Sequence, residues 1–310
     1  MYKLTNIDVN TINVFTTMFI SILLEAFPFI MLGVIISSLI QLFVSEEFIA
    51  RVMPKNKVIG IFIGIIMGLF FPVCDCAVIP VCRRLIKKGV PLSTAITFML
   101  SAPIINPVVL VATNYAFGTL MPSMLFYRAL IGICAAILIA FIIGTLFENK
   151  NVLKPEIQTH HHCHCEGCHD HQPSGGKLSA LLNHVGEEFF DVGKYLIIGA
   201  FIATAAQVFI PQEMLLAVGQ NKAMSIIVLM VFAYAISLCS TSDSFIAKTF
   251  ISQFTNSSIL AFLILGPMLD IKNTIVLFGN FKKSFVFHLI FILFIIVFLS
   301  VYCMDLFLIF

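Results

Sequence analysis

Eight stretches of this chain contain no Asp, Glu, Lys or Arg: 26–45, 58–74, 89–127, 129–147, 195–212, 223–242, 249–269 and 284–304. A helix needs about 20 apolar residues to cross the ~30 Å hydrocarbon core of a bilayer. Backbone polar groups at that depth must be satisfied inside the segment, which leaves helices or closed barrels. Runs of this length restrict the chain to a bundle of membrane helices. The composition agrees, with 60% hydrophobic and 11% charged residues, where a soluble domain carries roughly 25% charged. The lipid bilayer is therefore a partner. A net charge of +2, with no basic patch interleaved with aromatics, excludes nucleic acid. Met1 to Asn10 lacks a basic run before an apolar core, and no small-residue cleavage site follows. Insertion is expected to rely on the first span itself.

The chain resembles itself at an offset near 165 residues. Gln41-Leu-Phe-Val with Glu47 answers to Gln207-Val-Phe-Ile with Glu213, and Asn56-Lys57 to Asn221-Lys222. Cys74 answers to Cys239, and Ala102-Pro-Ile-Ile-Asn106 to Gly266-Pro-Met-Leu-Asp270. Basic residues cluster at Arg51–Lys57, Arg83–Lys88, Lys150–Lys177 and Lys282-Lys283. The positive-inside rule places all four in the cytoplasm. The first two clusters bracket 58–82, so that stretch is expected to go in and return. Run on to Lys88, the 31 residues of 58–88 would rise about 46 Å as helix, too long for one upright crossing and right for two legs of about 23 Å. The tip falls at Pro72–Cys76, and the same logic makes 223–254 a hairpin from the opposite side with its tip at Cys239–Ser244.

The expected fold is an all-α polytopic membrane protein of two inverted-topology repeats. Each repeat holds about three spanning helices plus one re-entrant helical hairpin, with both termini outside. The domains are 1–147, the first transmembrane repeat; 148–180, a cytoplasmic His/Cys-rich loop; and 181–310, the second repeat. Residues 11–24 and 177–190 are read as interfacial anchors ahead of the first span of each half, the first being apolar enough to extend the opening span instead, with Glu25 and Asp191 at matching places after them.

Polar interruptions in apolar runs mark the candidate site. At the first tip, Pro72 breaks the helix and Cys74, Asp75 and Cys76 follow. Two thiols flanking a carboxylate suit a soft or borderline cation such as Zn²⁺, Cu⁺ or trivalent arsenic. The following half-helix, about 77–88, would present free N–H groups to Cys76 and favour its thiolate. At the second tip Ser240, Thr241, Ser242, Asp243 and Ser244 offer hydroxyls and a carboxylate, for a cation, a proton relay or a helix cap. Pro103 and Pro107 flank Asn106, and Asp270 holds the same repeat position in the second half, with Lys272 reaching an acid on another helix. Cys134 and Cys303 read as small buried hydrophobes; Cys82 stays open.

Between the halves, His160, His161, His162, Cys163, His164, Cys165, Cys168, His169 and His171 fall within twelve residues. This set can ligate Zn²⁺ or another transition metal without matching a defined finger spacing, and no other cofactor is implied. Pro155 and Pro173-Ser-Gly-Gly176 flank it as linkers.

The run Phe71-Pro-Val-Cys-Asp-Cys-Ala-Val-Ile-Pro-Val-Cys-Arg-Arg-Leu-Ile-Lys-Lys-Gly-Val-Pro-Leu92, with Leu100-Ser-Ala-Pro-Ile-Ile-Asn-Pro107, resembles the YraQ/ArsP-type predicted permeases, the YcgR-like members above all. The resemblance implies a multi-spanning protein of the bacterial inner membrane. Some relatives are implicated in efflux of trivalent organoarsenicals, and some occur beside a small membrane or lipoprotein partner. The cysteine pair of the arsenical exporters maps to Cys74 and Cys76. Those relatives usually carry a small residue where this chain has Asp75, whose charge favours a cation over a neutral organoarsenical.

The reading is a permease, not an enzyme. It is a secondary transporter exporting a metal ion or a soft metalloid compound, with Cys74, Asp75, Cys76, Asn106, Asp243 and Asp270 at the substrate. Its alternative is a metal-sensing or scaffolding membrane component acting with a small partner protein. A thiol oxidoreductase is weaker, since the cysteines are C-x-C and not C-x-x-C.

Overall fold

Helix breakers divide the apolar runs into twelve helices among the residues that the computed structural model describes, which are 9–43, 57–70, 75–118, 121–147, 150–154, 177–209, 222–251 and 253–307. The first half gives α1 (Val9–Phe43), α2 (Lys57–Phe70), α3 (Asp75–Lys87), α4 (Leu92–Ile105), α5 (Pro107–Phe117) and α6 (Ser123–Leu146). The second half repeats the succession as α7 (Lys177–Phe209), α8 (Lys222–Ile236), α9 (Ser240–Thr249), α10 (Asn256–Met268), α11 (Ile271–Asn280) and α12 (Lys283–Phe307). The described residues hold no strand beyond one antiparallel bridge, Leu153 to Phe281.

Five of these segments are long and apolar enough to cross a membrane: Thr11–Pro28, Leu92–Phe117, Ser123–Leu146, Asn256–Asn280 and Lys283–Leu306. Shorter apolar helices occupy Lys57–Phe70, Val192–Ala205 and Lys222–Ile236. The eight hydropathy segments thus each find a helix, but three fall short of a full crossing by this measure. Neither 11–24 nor 177–190 forms a separate helix. Each is continuous with the following span, in α1 of 35 residues and α7 of 33. No residue in either stretch breaks the ladder, and Pro28 lies inside α1 without ending it.

Direction follows from side-chain register. A Cβ on Gly60 would lie 2.4 Å from Thr94 Oγ1, and one on Gly68 would lie 2.6 Å from Ser101 Oγ. Numbers rise together on α2 and α4, so these helices run parallel. The three glycines at positions 60, 64 and 68 let the backbones approach closely, as small residues do between membrane helices. Parallel neighbours require the chain between them to come back, and α3 is that return; Gly89, at φ 88°, makes the turn into α4. The second half does the same. Ser225 donates to Ser258 at 3.0 Å, and a Cβ on Gly266 would lie 3.8 Å from Ala233 Cβ, so α8 and α10 are also parallel with α9 as the return.

Equivalent helices of the two halves meet in opposite directions. Phe15 and Phe19 of α1 pack edge-on against Phe201 of α7, and Phe27 against Phe189. The C-terminal end of α6 meets the N-terminal end of α12 through Phe147 and Phe285, ring centroids 5.3 Å apart.

Candidate functional site

Both unbroken apolar segments that follow the returns are interrupted three residues after a proline. Pro103 sits inside α4 and Pro267 inside α10. The breaks themselves are Asn106 and Asp270, and each caps the helix it starts. Asn106 Oδ1 accepts from Val108 N at 2.9 Å, with Pro107 in the first helical position, where its missing N–H costs nothing. Asp270 Oδ1 accepts from Asn273 N. The two residues share a local role: a short polar side chain satisfies orphan N–H groups.

The two tips meet. Ser240 Oγ donates to Asp75 Oδ1 at 3.3 Å across 165 residues of chain, the repeat offset itself. Asp75 opens α3 and Ser240 opens α9, so the N-terminal ends of both return helices converge here. Asp243 lies one turn further along α9, 3% exposed, with no hydrogen-bond partner for Oδ2 among the described residues. Gly266 gives it room, since a Cβ there would come within 2.8 Å of Asp243 Oδ2.

Arg128, on α6, completes the cluster and is fully buried. Its Nη1 donates to Ser244 Oγ at 2.8 Å and to Thr113 Oγ1, and Nη2 donates to Ser240 O at 3.4 Å. Thr113 on α5 and Ser244 on α9 share a further bond of 3.1 Å. The guanidinium therefore ties the second tip to α5 and α6. Asp243 and Asp75 lie within its electrostatic reach, while its Nε has no hydrogen-bond partner among the described residues.

A second knot lies beside it. Lys272 Nζ is 3.5 Å from Asp270 Oδ2 and donates to Ser237 O at 3.5 Å. Asp270, two residues away at the cap, is one acid it pairs with. Ser237 holds a left-handed φ of 50°, rare for a residue other than glycine. Lys272 N donates to its Oγ at 3.4 Å, so the strained turn of the second tip is fastened to the first turn of α11. Tyr234 donates to Thr274 Oγ1, and Thr274 to Asp270 O. Asp243 also feels the charges of Asp75, Asp270 and Lys272.

Asp75, Asp243 and Asp270 thus share one buried region, as their isolation in apolar sequence suggested. Asn106 caps α5 through its bond from Val108 N. Cys74 lies outside the described residues, as does the whole 160–171 set; Cys76 stands in the first turn of α3, with its side chain outside the described part. Among the described residues, no group of three or more His, Cys, Asp or Glu side chains could hold a metal ion. Cys82 is structural: its buried thiol donates to Ala95 O at 3.4 Å in the α3–α4 contact. Cys134 and Cys303 are exposed on their helices, not buried as expected. Arg128 is the residue that sequence reasoning missed. It separates 89–127 from 129–147 and lies only five residues into a 24-residue apolar helix.

Several long apolar helices around a buried cluster of acids, bases and hydroxyls define a multi-pass membrane protein of the permease class. The chain belongs to the ArsP-type predicted permease family, which it matches over residues 11–306. It is 48% identical over 277 residues to the UPF0718 protein YcgR of Bacillus subtilis, covering 88% of this chain and 91% of that one. It is 36% identical over 272 residues, 88% of each chain, to a Streptococcus mutans protein named as a two-component membrane permease complex subunit. Similarity to the UPF0718 protein YraQ of Escherichia coli is 26% over 127 residues, 41% of this chain and 35% of that one. No solved structure matches. The resemblance read from 71–92 and 100–107 is borne out.

Proposed function

We propose that the chain is a secondary transporter that exports a metal ion or a soft metalloid compound, organoarsenicals included, through the place where its two tips meet. The observation that carries this reading is the contact of Ser240 with Asp75, beside Asp243 and Arg128, inside a lipid-embedded fold. Ionisable groups at that depth are costly and face substrate or ion pathways. Inverted repeats with broken helices that meet at the midplane are a transporter architecture. Its support is threefold: parallel α2/α4 and α8/α10 pairs, antiparallel α1/α7, and equivalent residues in contact at the centre. In this reading α2–α3 and α8–α9 are re-entrant hairpins entering from opposite sides.

The cargo meets Asp75 and Asp243, with Cys74 and Cys76 as the soft ligands. Asn106 and Asp270 hold the half-helices whose N-terminal ends face the centre. Fully ionised, three carboxylates stand against Arg128 and Lys272, so one added positive charge brings the cluster to neutrality, which favours a cation or a coupling proton. The 160–171 set binds Zn²⁺ or a similar metal on the cytoplasmic side.

The test is cellular metal and arsenic content, with and without the protein, across a panel of metals and arsenicals. Loss of the protein should raise the content of one of them. Wild type should restore it, while Asp75→Asn, Asp243→Asn and Cys74→Ser/Cys76→Ser should not at equal protein levels. Unchanged content across the panel would sink the reading. The name of the Streptococcus mutans relative favours a second reading, a subunit acting with a partner protein. Deleting 160–171 separates them: a lost phenotype with intact flux supports sensing or scaffolding.

A further inference from the structure

Away from the centre, a cleft of about 390 Å³ opens where α6 ends and α12 begins. Its apolar floor is Phe147 and Phe285, whose rings pack edge-on. Its rim carries Lys150, Lys282 and His288, and no acidic side chain lines it among the described residues. The rim is fixed by backbone. Lys282 N donates to Val152 O at 2.9 Å and Lys154 N donates to Asn280 O at 3.2 Å, so the chain after α6 and the chain before α12 are pinned together. Val152, Leu153 and Phe281 are buried beneath this bridge. Lys150 Nζ stands over the Phe147 ring, 5.3 Å from its centroid. The His288 ring packs edge-on to Phe147, and its Nδ1 donates to Ser284 O at 2.7 Å, which leaves Nε2 to the cleft.

We propose that this cleft seats the phosphate headgroup of an anionic phospholipid, with the acyl chains descending along α6 and α12. Its position sets the depth. It lies at the common end of two apolar segments, Ser123–Leu146 and Lys283–Leu306, where hydrocarbon gives way to headgroups. Basic pockets at that level recognise anionic lipid heads. The apolar floor selects the lipid over free phosphate, because a soluble anion gains nothing from Phe147 and Phe285. A second cleft, lined by Ile227, Met230, Val231, Phe291 and other apolar side chains, has no cation on its rim and suits acyl chains alone. The lipid would clasp the two halves at their seam, and the proposal does not depend on what the centre transports.

Native mass spectrometry of the full-length protein tests it, with phosphatidylglycerol and phosphatidylcholine of matched chains as probes. Wild type should retain phosphatidylglycerol preferentially and gain thermal stability from it. Lys150→Gln/Lys282→Gln should lose about tenfold of that preference, because two cations near the headgroup are gone. Lys150→Arg/Lys282→Arg should keep it, which shows that the double variant still folds. Equal retention by the Gln pair overturns the proposal, as does equal retention of both lipids by wild type. Stabilisation by inorganic phosphate alone would make the cleft a free-anion site and overturn it too.

Discussion

With Arg128 changed to Gln, Asp75 and Asp243 keep their burial but lose a cation within electrostatic reach. Removing one partner from a buried charge cluster typically costs about 3–5 kcal/mol, because the charge left behind has no water to turn to. Arg128→Gln should therefore lower the unfolding midpoint in detergent strongly. The double change Arg128→Gln/Asp243→Asn should recover most of that loss. A double variant no better than the worse single would mean that the guanidinium acts through its hydroxyl partners alone. Gly266→Ala is a subtler probe. Its Cβ would lie 2.8 Å from Asp243 Oδ2, so the carboxylate must shift. Flux should fall by far more than thermal stability; equal losses would make Gly266 a packing residue. The three acids were legible because each interrupts a long apolar run. Arg128 was not, because a lone base between two uncharged runs reads as a span end, and a long side chain can snorkel from there. Only the start of α6 at Ser123 shows that it is inside.

Among the elements, the breaks were legible and the continuity was not. Pro103, Pro107 and Pro267 announce where helices cannot continue, and the structure ends α4 at Ile105 and α10 at Met268. The join at 190 looked like a boundary because amphipathic sequence precedes a span, yet hydropathy alone does not break a helix. The α2–α4 contact rests on glycines at positions 60, 64 and 68. A Cβ on Gly64 would lie 2.6 Å from the Thr94 carbonyl oxygen, and backbone cannot move aside as a side-chain tip can. Gly64→Ala should cost about 1–3 kcal/mol by overpacking, read as a lower melting temperature of the purified protein. Gly89→Ala meets no atoms within 4 Å but must hold φ at 88°, so its smaller cost would come from backbone strain.

At the scale of the molecule, charge and contact give the same sidedness. Arg83 near the end of α3 donates to Asn280 Oδ1 at 3.1 Å, and Lys154 N donates to Asn280 O. The ends of α3, α6 and α11 and the start of α12 therefore share one face, where three of the basic clusters also fall. At the opposite face Lys222, at the start of α8, pairs with Asp305 at 3.0 Å near the end of α12. Lys248 closes α9 on that same side, since Thr113 meets Ser244 and Tyr115 meets Phe245 as α5 and α9 run outward together. Positions 83 and 248 are 165 residues apart, so the inverted repeat proposed above sends them to opposite sides of the membrane. Lys88→Cys, Lys154→Cys and Lys283→Cys should react with an impermeant maleimide in inside-out vesicles, and Lys248→Cys in right-side-out vesicles. Native cysteines set the background, so Cys163, Cys165, Cys168, Cys134 and Cys303 are replaced by Ser in every arm. Labelling of positions 88 and 248 from the same side would mean that the two return helices enter from one face. The tips could then not approach the Ser240–Asp75 contact from opposite directions, and alternating access about that contact would fail with it.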